Sequence, residues 1–304
     1  MGKQVRRQLY FLIGILLLNT PFARADVLPL DDALRATYNA CIGIDDELAD
    51  LKKMAGINTA VTGVGTGLGV GATVVGIVKT STDKDLHAIL NAIDNIDNST
   101  INPSWSDVLA VYDKYIAQYG DIETAHTALY NKSKSLGNWR TGLLAASTTT
   151  NVAGAIIAGN NKIDKDLQTR INECIESVDN LKDAISQAHF DSIDITEANK
   201  IVSECGKWKY ADLSVINNRA KGAMISSIVG ATTGIAGTIT SAVANSDTVR
   251  QDNIEKEKNL NTASNVLSGT TAVASGVATV FNATQISAVK KIAEIANSCE
   301  GTLK

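Results

Sequence analysis

The chain has 304 residues, a formal net charge of −4, 23 glycines, three prolines and only four phenylalanines. That balance gives no electrostatic reason to expect nucleic acid or an anionic surface as partner. The shortage of large aromatics leaves a core to be built from Ala, Val, Ile and Leu, in one large or two small domains.

At the N-terminus, Lys3, Arg6 and Arg7 precede an apolar run over 9–18, and Ala23-Arg24-Ala25 puts small residues at the −3 and −1 positions of a cleavage site. This is the layout of a secretory signal peptide over 1–25, and the run is short for a span of roughly 20 residues. The expected location is therefore exported: periplasm, cell envelope or extracellular space, with inner-membrane insertion as the alternative. Asp31 or Asp32 is expected to serve a helix N-terminus, where an acidic side chain complements exposed backbone donors.

Residues Leu34, Tyr38, Cys41, Leu48 and Leu51 recur at helical spacing. The first of four uncharged stretches follows, over 54–78; the others cover 141–161, 222–246 and 259–289, giving lengths of 25, 21, 25 and 31 residues. A helix facing water needs a polar face, so each stretch is expected to be buried all round or embedded in lipid. In the first, Gly63, Gly67 and Gly71 are four apart, as are Gly65 and Gly69, and in the third Gly230, Gly234 and Gly237 supply small positions. On helices this spacing makes a groove into which a second backbone can come close. The glycine pattern resembles the glycine zipper of bacterial envelope proteins. Alternating Gly with Val or Thr in the first stretch also permits a strand.

Beyond the first stretch, Leu86, Ile89, Leu90, Ile93 and Ile96 continue a helical stripe. Val108, Leu109, Tyr112, Tyr115, Ile116 and Tyr119 mark a helix stopped by Gly120, then a shorter helix to about Tyr130. Residues 98–137 are read as an inserted helical cap. Leu167, Ile171, Cys174, Val178 and Leu181 form a further stripe. Local words recur, as in Asp83-Lys84-Asp85-Leu86 and Asp164-Lys165-Asp166-Leu167, which points to internal repetition of irregular period.

Four cysteines allow three connectivities. In an antiparallel helix pair, contacting residues keep a constant index sum. Joining Cys41 to Cys174 lays 54–78 against 137–161, and joining Cys205 to Cys299 lays 222–246 against 258–282, so both choices bring whole uncharged stretches face to face. The expected bridges are Cys41–Cys174 and Cys205–Cys299, in keeping with an oxidising compartment. His87, His126 and His189 do not group with the cysteines in sequence, so no metal is expected.

The expected fold is all-α: two antiparallel hairpins with Gly/Ala/Ser/Thr packing faces, each held by a disulfide, plus the cap. The segments are the first hairpin's outgoing helix and extension over 26–97, the cap over 98–137, the returning helix over 138–200 and the second hairpin over 201–304. Trp139, Trp208 and Tyr210 are candidate anchors at a membrane interface, or caps of the bundle. Gly67-Leu-Gly69-Val-Gly71-Ala72 opens like a dinucleotide fingerprint without its strand–turn–helix setting, and no Walker loop, nucleophile elbow or zinc-protease motif occurs. The expectation is a non-catalytic exported structural or interaction protein with no cofactor and no evident small-molecule substrate, engaging a protein partner or itself. The alternative is a membrane-inserting protein that forms a pore through its glycine-rich hairpins.

Overall fold

The computed structural model describes residues 24–97, 105–187, 193–252 and 254–304, and these are helical with no strand among them. The helices are α1 (Arg24–Cys41), α2 (Ile44–Asp97), α3 (Trp105–Tyr119), α4 (Ile122–Asn160), α5 (Lys165–Gln187), α6 (Ile193–Cys205), α7 (Ser214–Ala244), α8 (Asp247–Asp252) and α9 (Ile254–Leu303), with a 3₁₀ turn at Gly206–Tyr210. The all-α expectation holds and the strand option for the first uncharged stretch does not. Almost all of the signal segment, 1–23, lies outside the described residues.

Two compact units emerge. One takes the described residues up to Lys52 with Ile163–Ser214 and Ala288–Lys304; the other takes Lys53–Lys162 and Val215–Ser287. Several local rules place the helix ends. Gly43 (φ 83°) sits between α1 and α2, and Gly120 (φ 88°) between α3 and α4, each in the left-handed region that favours glycine. Asp121 caps α4 by accepting from the Thr124 backbone N–H at 2.7 Å, a bond that holds its carboxyl below the ordinary range. Asp164 does the same for α5 through Leu167 N–H at 2.8 Å. By contrast Asp31 and Asp32 are exposed inside α1 and start nothing, because the helix already runs from Arg24. The stop expected near Tyr130 is also absent: α4 continues for 39 residues, since no Pro or Gly interrupts it there.

The first unit packs α1 on α5, and α5 on α6 and the 3₁₀ turn. Cys41, Cys174, Leu167, Ile171, Val178 and Leu181 are buried in it, as the stripes predict, whereas Tyr38 is 43% exposed and Thr37 takes the inward place, donating to Ser177 O at 3.1 Å. Both expected bridges are formed, Cys41–Cys174 across 133 residues and Cys205–Cys299 across 94. Loops of that length make each bridge worth about 5 kcal/mol on the chain-entropy account, at the top of the range seen for disulfides.

The second unit is a four-helix bundle. Buried positions step by three and four along every uncharged stretch: Asn58, Thr62, Gly65, Gly69, Ala72 and Gly76 on α2; Leu144, Ser147, Asn151, Gly154 and Ala158 on α4; Ala223, Ser227, Gly230, Gly234 and Gly237 on α7; Ser264, Ser268, Thr271, Ser275 and Ala278 on α9. This is the 3.5-residue period of interlocking helices. The pairings expected from the cysteines recur here, with Gly65 against Thr150 and Thr233 against Thr271. Two further antiparallel faces close the ring: Gly234 meets Thr148, and Gly69 meets the Ala272 backbone, where an added Cβ would lie 3.0 Å from Cα. Beside the bundle, α3 packs its Tyr115 with Leu86, Ile89, Ala125 and Leu129 in a small apolar core.

The inward glycines of α2 are therefore Gly65, Gly69 and Gly76, while a Cβ at Gly63 or Gly67 would meet nothing within 4 Å. A strict four-residue spacing drifts off a seam that alternates three and four, so of the two glycine rows Gly65 and Gly69 lie on the seam and Gly63 and Gly67 do not. Gly63→Ala and Gly67→Ala are expected to leave the melting temperature unchanged or raise it, since Ala is the better helix former. Gly69→Ala is expected to lower it, because α9 must move to admit the methyl group. Circular-dichroism melts of the three variants check the contrast.

Candidate functional site

The bundle inverts the usual order of a protein. Its seam is small and polar, and its outer faces carry β-branched apolar residues: Val64, Val70 and Ile77 on α2, Ile156 on α4, Ile235 and Ile239 on α7, Val266, Val273 and Val280 on α9, each at least 50% exposed. Among the described residues four helices are long and apolar enough to cross a membrane, and of their most apolar stretches only 28% to 39% of residues are buried. In water such faces would be costly at about 25 cal/mol per Å² of exposed apolar surface, whereas lipid favours them.

Hydrogen bonds step along the seam. Asn58 Nδ2 donates to Asn282 Oδ1 at 2.9 Å, the Thr279 and Thr62 hydroxyls meet at 3.0 Å, and Gln285 Nε2 donates to Asn161 O at 2.7 Å. Further along, Ser275 Oγ donates to Asn151 Oδ1 at 2.9 Å and Ser147 Oγ to Gly65 O at 2.8 Å. That last bond, from a side chain to the carbonyl of another helix, needs the close approach that glycine permits. Asn58 Oδ1, Ser227 Oγ, Gln285 Oε1 and both amide atoms of Asn161 are buried without a hydrogen-bond partner among the described residues. Polar groups in that state are ordinarily met by water.

One end of the seam holds charge. Lys79 is fully buried, with Nζ 2.6 Å from Asp83 Oδ2 and 2.9 Å from Glu257 Oε1. Glu257 also faces Arg250 Nε at 3.6 Å and His87 Nε2 at 3.5 Å. Asp83 accepts from Ser133 Oγ and from Asn261 Nδ2, the latter at 2.9 Å. Arg140, also fully buried, donates to Ser241 Oγ at 2.9 Å, Asn261 Oδ1 at 2.7 Å and Asn265 Oδ1 at 3.1 Å, while Arg250 lies over the Tyr130 ring at 4.2 Å. Three cations and two carboxylates thus share one cluster, in which Lys79 and Arg140 are hydrogen-bonded while Arg250 Nε and Nη1, buried, have no hydrogen-bond partner among the described residues. In an apolar-faced bundle, ionisable groups that turn inward and pair with one another are the candidate functional interior.

Arg140, beside Trp139 at the mouth of the second uncharged stretch, reads in the sequence as part of an interface anchor but is fully buried, and the other charged residues read there as solvated helix ends. One signal was available: Lys79 continues the three–four stepping of Gly69, Ala72 and Gly76, and Asp83 lies one turn on. Of the glycines that were singled out, Gly71 and Gly237 have Leu143 and Leu267 as nearest neighbours, at 3.6 and 3.2 Å from an added Cβ, and Gly230 faces Asn151 at 2.8 Å. Trp208 is 2% exposed in the core of the first unit, so it is no interface anchor: the 3₁₀ turn folds it inward. Trp139 and Tyr210 stand out, 66% and 89% exposed, and Trp139 directly precedes the uncharged stretch of α4. The repeated words serve different ends, Asp83 inside the charge cluster and Asp164 as a helix cap.

Compared with protein-family models, with curated proteins and with solved structures, the chain matches none.

Proposed function

We propose that the protein is a non-catalytic, membrane-inserting helical protein whose four-helix unit lies in lipid and whose polar seam passes ions or small hydrophilic solutes. The observation that carries this reading is the inversion of the bundle, apolar β-branched residues outward on all four helices and Asn, Ser, Thr and paired charges inward. The lengths agree. At 1.5 Å per residue the shortest uncharged stretch, 21 residues, gives about 31 Å, close to the roughly 30 Å hydrocarbon core. Lys53, Lys162, Lys221 and Lys258 flank the stretches and are exposed, positions at which lysine reaches the headgroups.

Passage through the seam is tested by reconstituting the full chain into liposomes loaded with an ion-sensitive dye. The expected result is a protein-dependent ion flux. Vesicles that retain carbonate-resistant protein and stay sealed to ions contradict the conduit.

A second role belongs to the first unit. Its α5 has an ordinary amphipathic pattern, with buried Leu167, Ile171 and Leu181 opposite exposed acidic and basic residues, and two disulfides hold it. These features suit an exported module that meets a protein partner or a second copy.

A further inference from the structure

The two bridges of the first unit are neighbours. The sulfurs of Cys41, Cys174 and Cys299 lie within 4.8 Å of one another, and Cys205 is bonded to Cys299. Four helices deliver the four cysteines, α1, α5, α6 and α9, and each residue is at most 1% exposed. Spacing along the chain gives no hint of this, since each bridge closes a long loop; packing of α1 on α5 and of α5 on α6 produces it.

A tetrathiolate metal centre has Zn–S bonds of about 2.3 Å, which puts its sulfurs roughly 3.8 Å apart. Three of the sulfurs are therefore already near the spacing a metal needs; the two bonded pairs would have to part and Cys205 Sγ to draw in toward Cys41 and Cys174, by side-chain rotation. The donor set is sulfur alone, which selects a soft or borderline ion over magnesium or calcium.

We propose that Cys41, Cys174, Cys205 and Cys299, when reduced, form a tetrahedral site for Zn²⁺. The chemistry balances in two steps. A phosphine reductant gives two electrons to each disulfide and takes the oxygen of one water to become its oxide, leaving two thiols per bridge. Zn²⁺ then forms four Zn–S bonds as four S–H protons pass to solvent, giving a centre of charge −2. The bridged state has no thiolate to offer, so disulfide and metal exclude one another: the same four residues staple the unit covalently in an oxidising space and through a metal in a reducing one. The site does not depend on whether the second unit lies in lipid.

The test uses the full chain in detergent, without oxygen, reduced with a phosphine and titrated with Co²⁺ as a visible stand-in for Zn²⁺. The expected result is the absorption of tetrahedral thiolate-bound cobalt, saturating at one equivalent, erased by Zn²⁺ and absent from the unreduced protein. Zn²⁺ is also expected to slow alkylation of all four thiols in the unsubstituted chain, a readout that needs no variant. Cys205→Ser should weaken cobalt binding about tenfold or more. A reduced chain that gives no tetrahedral spectrum, thiols that alkylate equally fast with Zn²⁺ present, or undiminished binding in Cys205→Ser would each overturn the site.

Discussion

Replacing Lys79 with methionine is expected to lower the stability of the helical bundle by about 3–5 kcal/mol, the range for breaking a buried ion pair from one side. The residue is fully buried and bridges Asp83 and Glu257, so its loss leaves two carboxylates in the seam with less positive charge to face. The methionine itself fills nearly the same volume, so packing contributes little to the change. Combining Lys79→Met with Glu257→Gln should cost less than the two single losses together, because the second change removes one of the stranded charges. Thermal unfolding of the four proteins in one detergent measures both quantities. Strict additivity would mean that Lys79 and Glu257 do not act as a pair.

The second large effect separates lipid from water. Val273 lies near the middle of the uncharged stretch of α9 and is 67% exposed; Val70, on α2, is 50% exposed. A lysine at the centre of a membrane-spanning helix costs about 2.5–3.5 kcal/mol, whereas the same change on a water-facing surface is worth within about 0.5 kcal/mol. Val273→Lys is therefore expected to shift the insertion equilibrium of its helix on the order of a hundredfold toward the uninserted state, and Val70→Lys similarly, while Val273→Leu leaves it unchanged. Equal partitioning of the lysine and leucine variants would place these faces in water.

Much of this architecture can be read from the residues. Four uncharged stretches announce four helices without a charged face, and the constant index sum of antiparallel neighbours picks out Cys41–Cys174 and Cys205–Cys299 from three connectivities. What stays hidden is the direction in which each helix faces. Gly63 and Gly65 are equally glycine in the sequence, yet only Gly65 lies on the seam, because a stepping of three and four is decided by all four helices together. A lysine after an apolar stretch signals a solvated end, and Lys79 departs from that because Asp83 and Glu257 wait for it inside. Glu257 comes from 178 residues along the chain, so no local pattern could supply it. Trp208 misleads for a similar reason: beside Lys207 and Lys209 it looks like an interface motif, while the 3₁₀ turn sends it inward and leaves Tyr210 exposed.

Expressing the full chain in an oxidising compartment and washing the membranes with alkaline carbonate decides whether the bundle's apolar faces lie in lipid. The protein is expected to remain in the membrane pellet, with Cys41–Cys174 and Cys205–Cys299 linked. Release into the wash as a monodisperse species that needs no detergent would contradict a location in lipid.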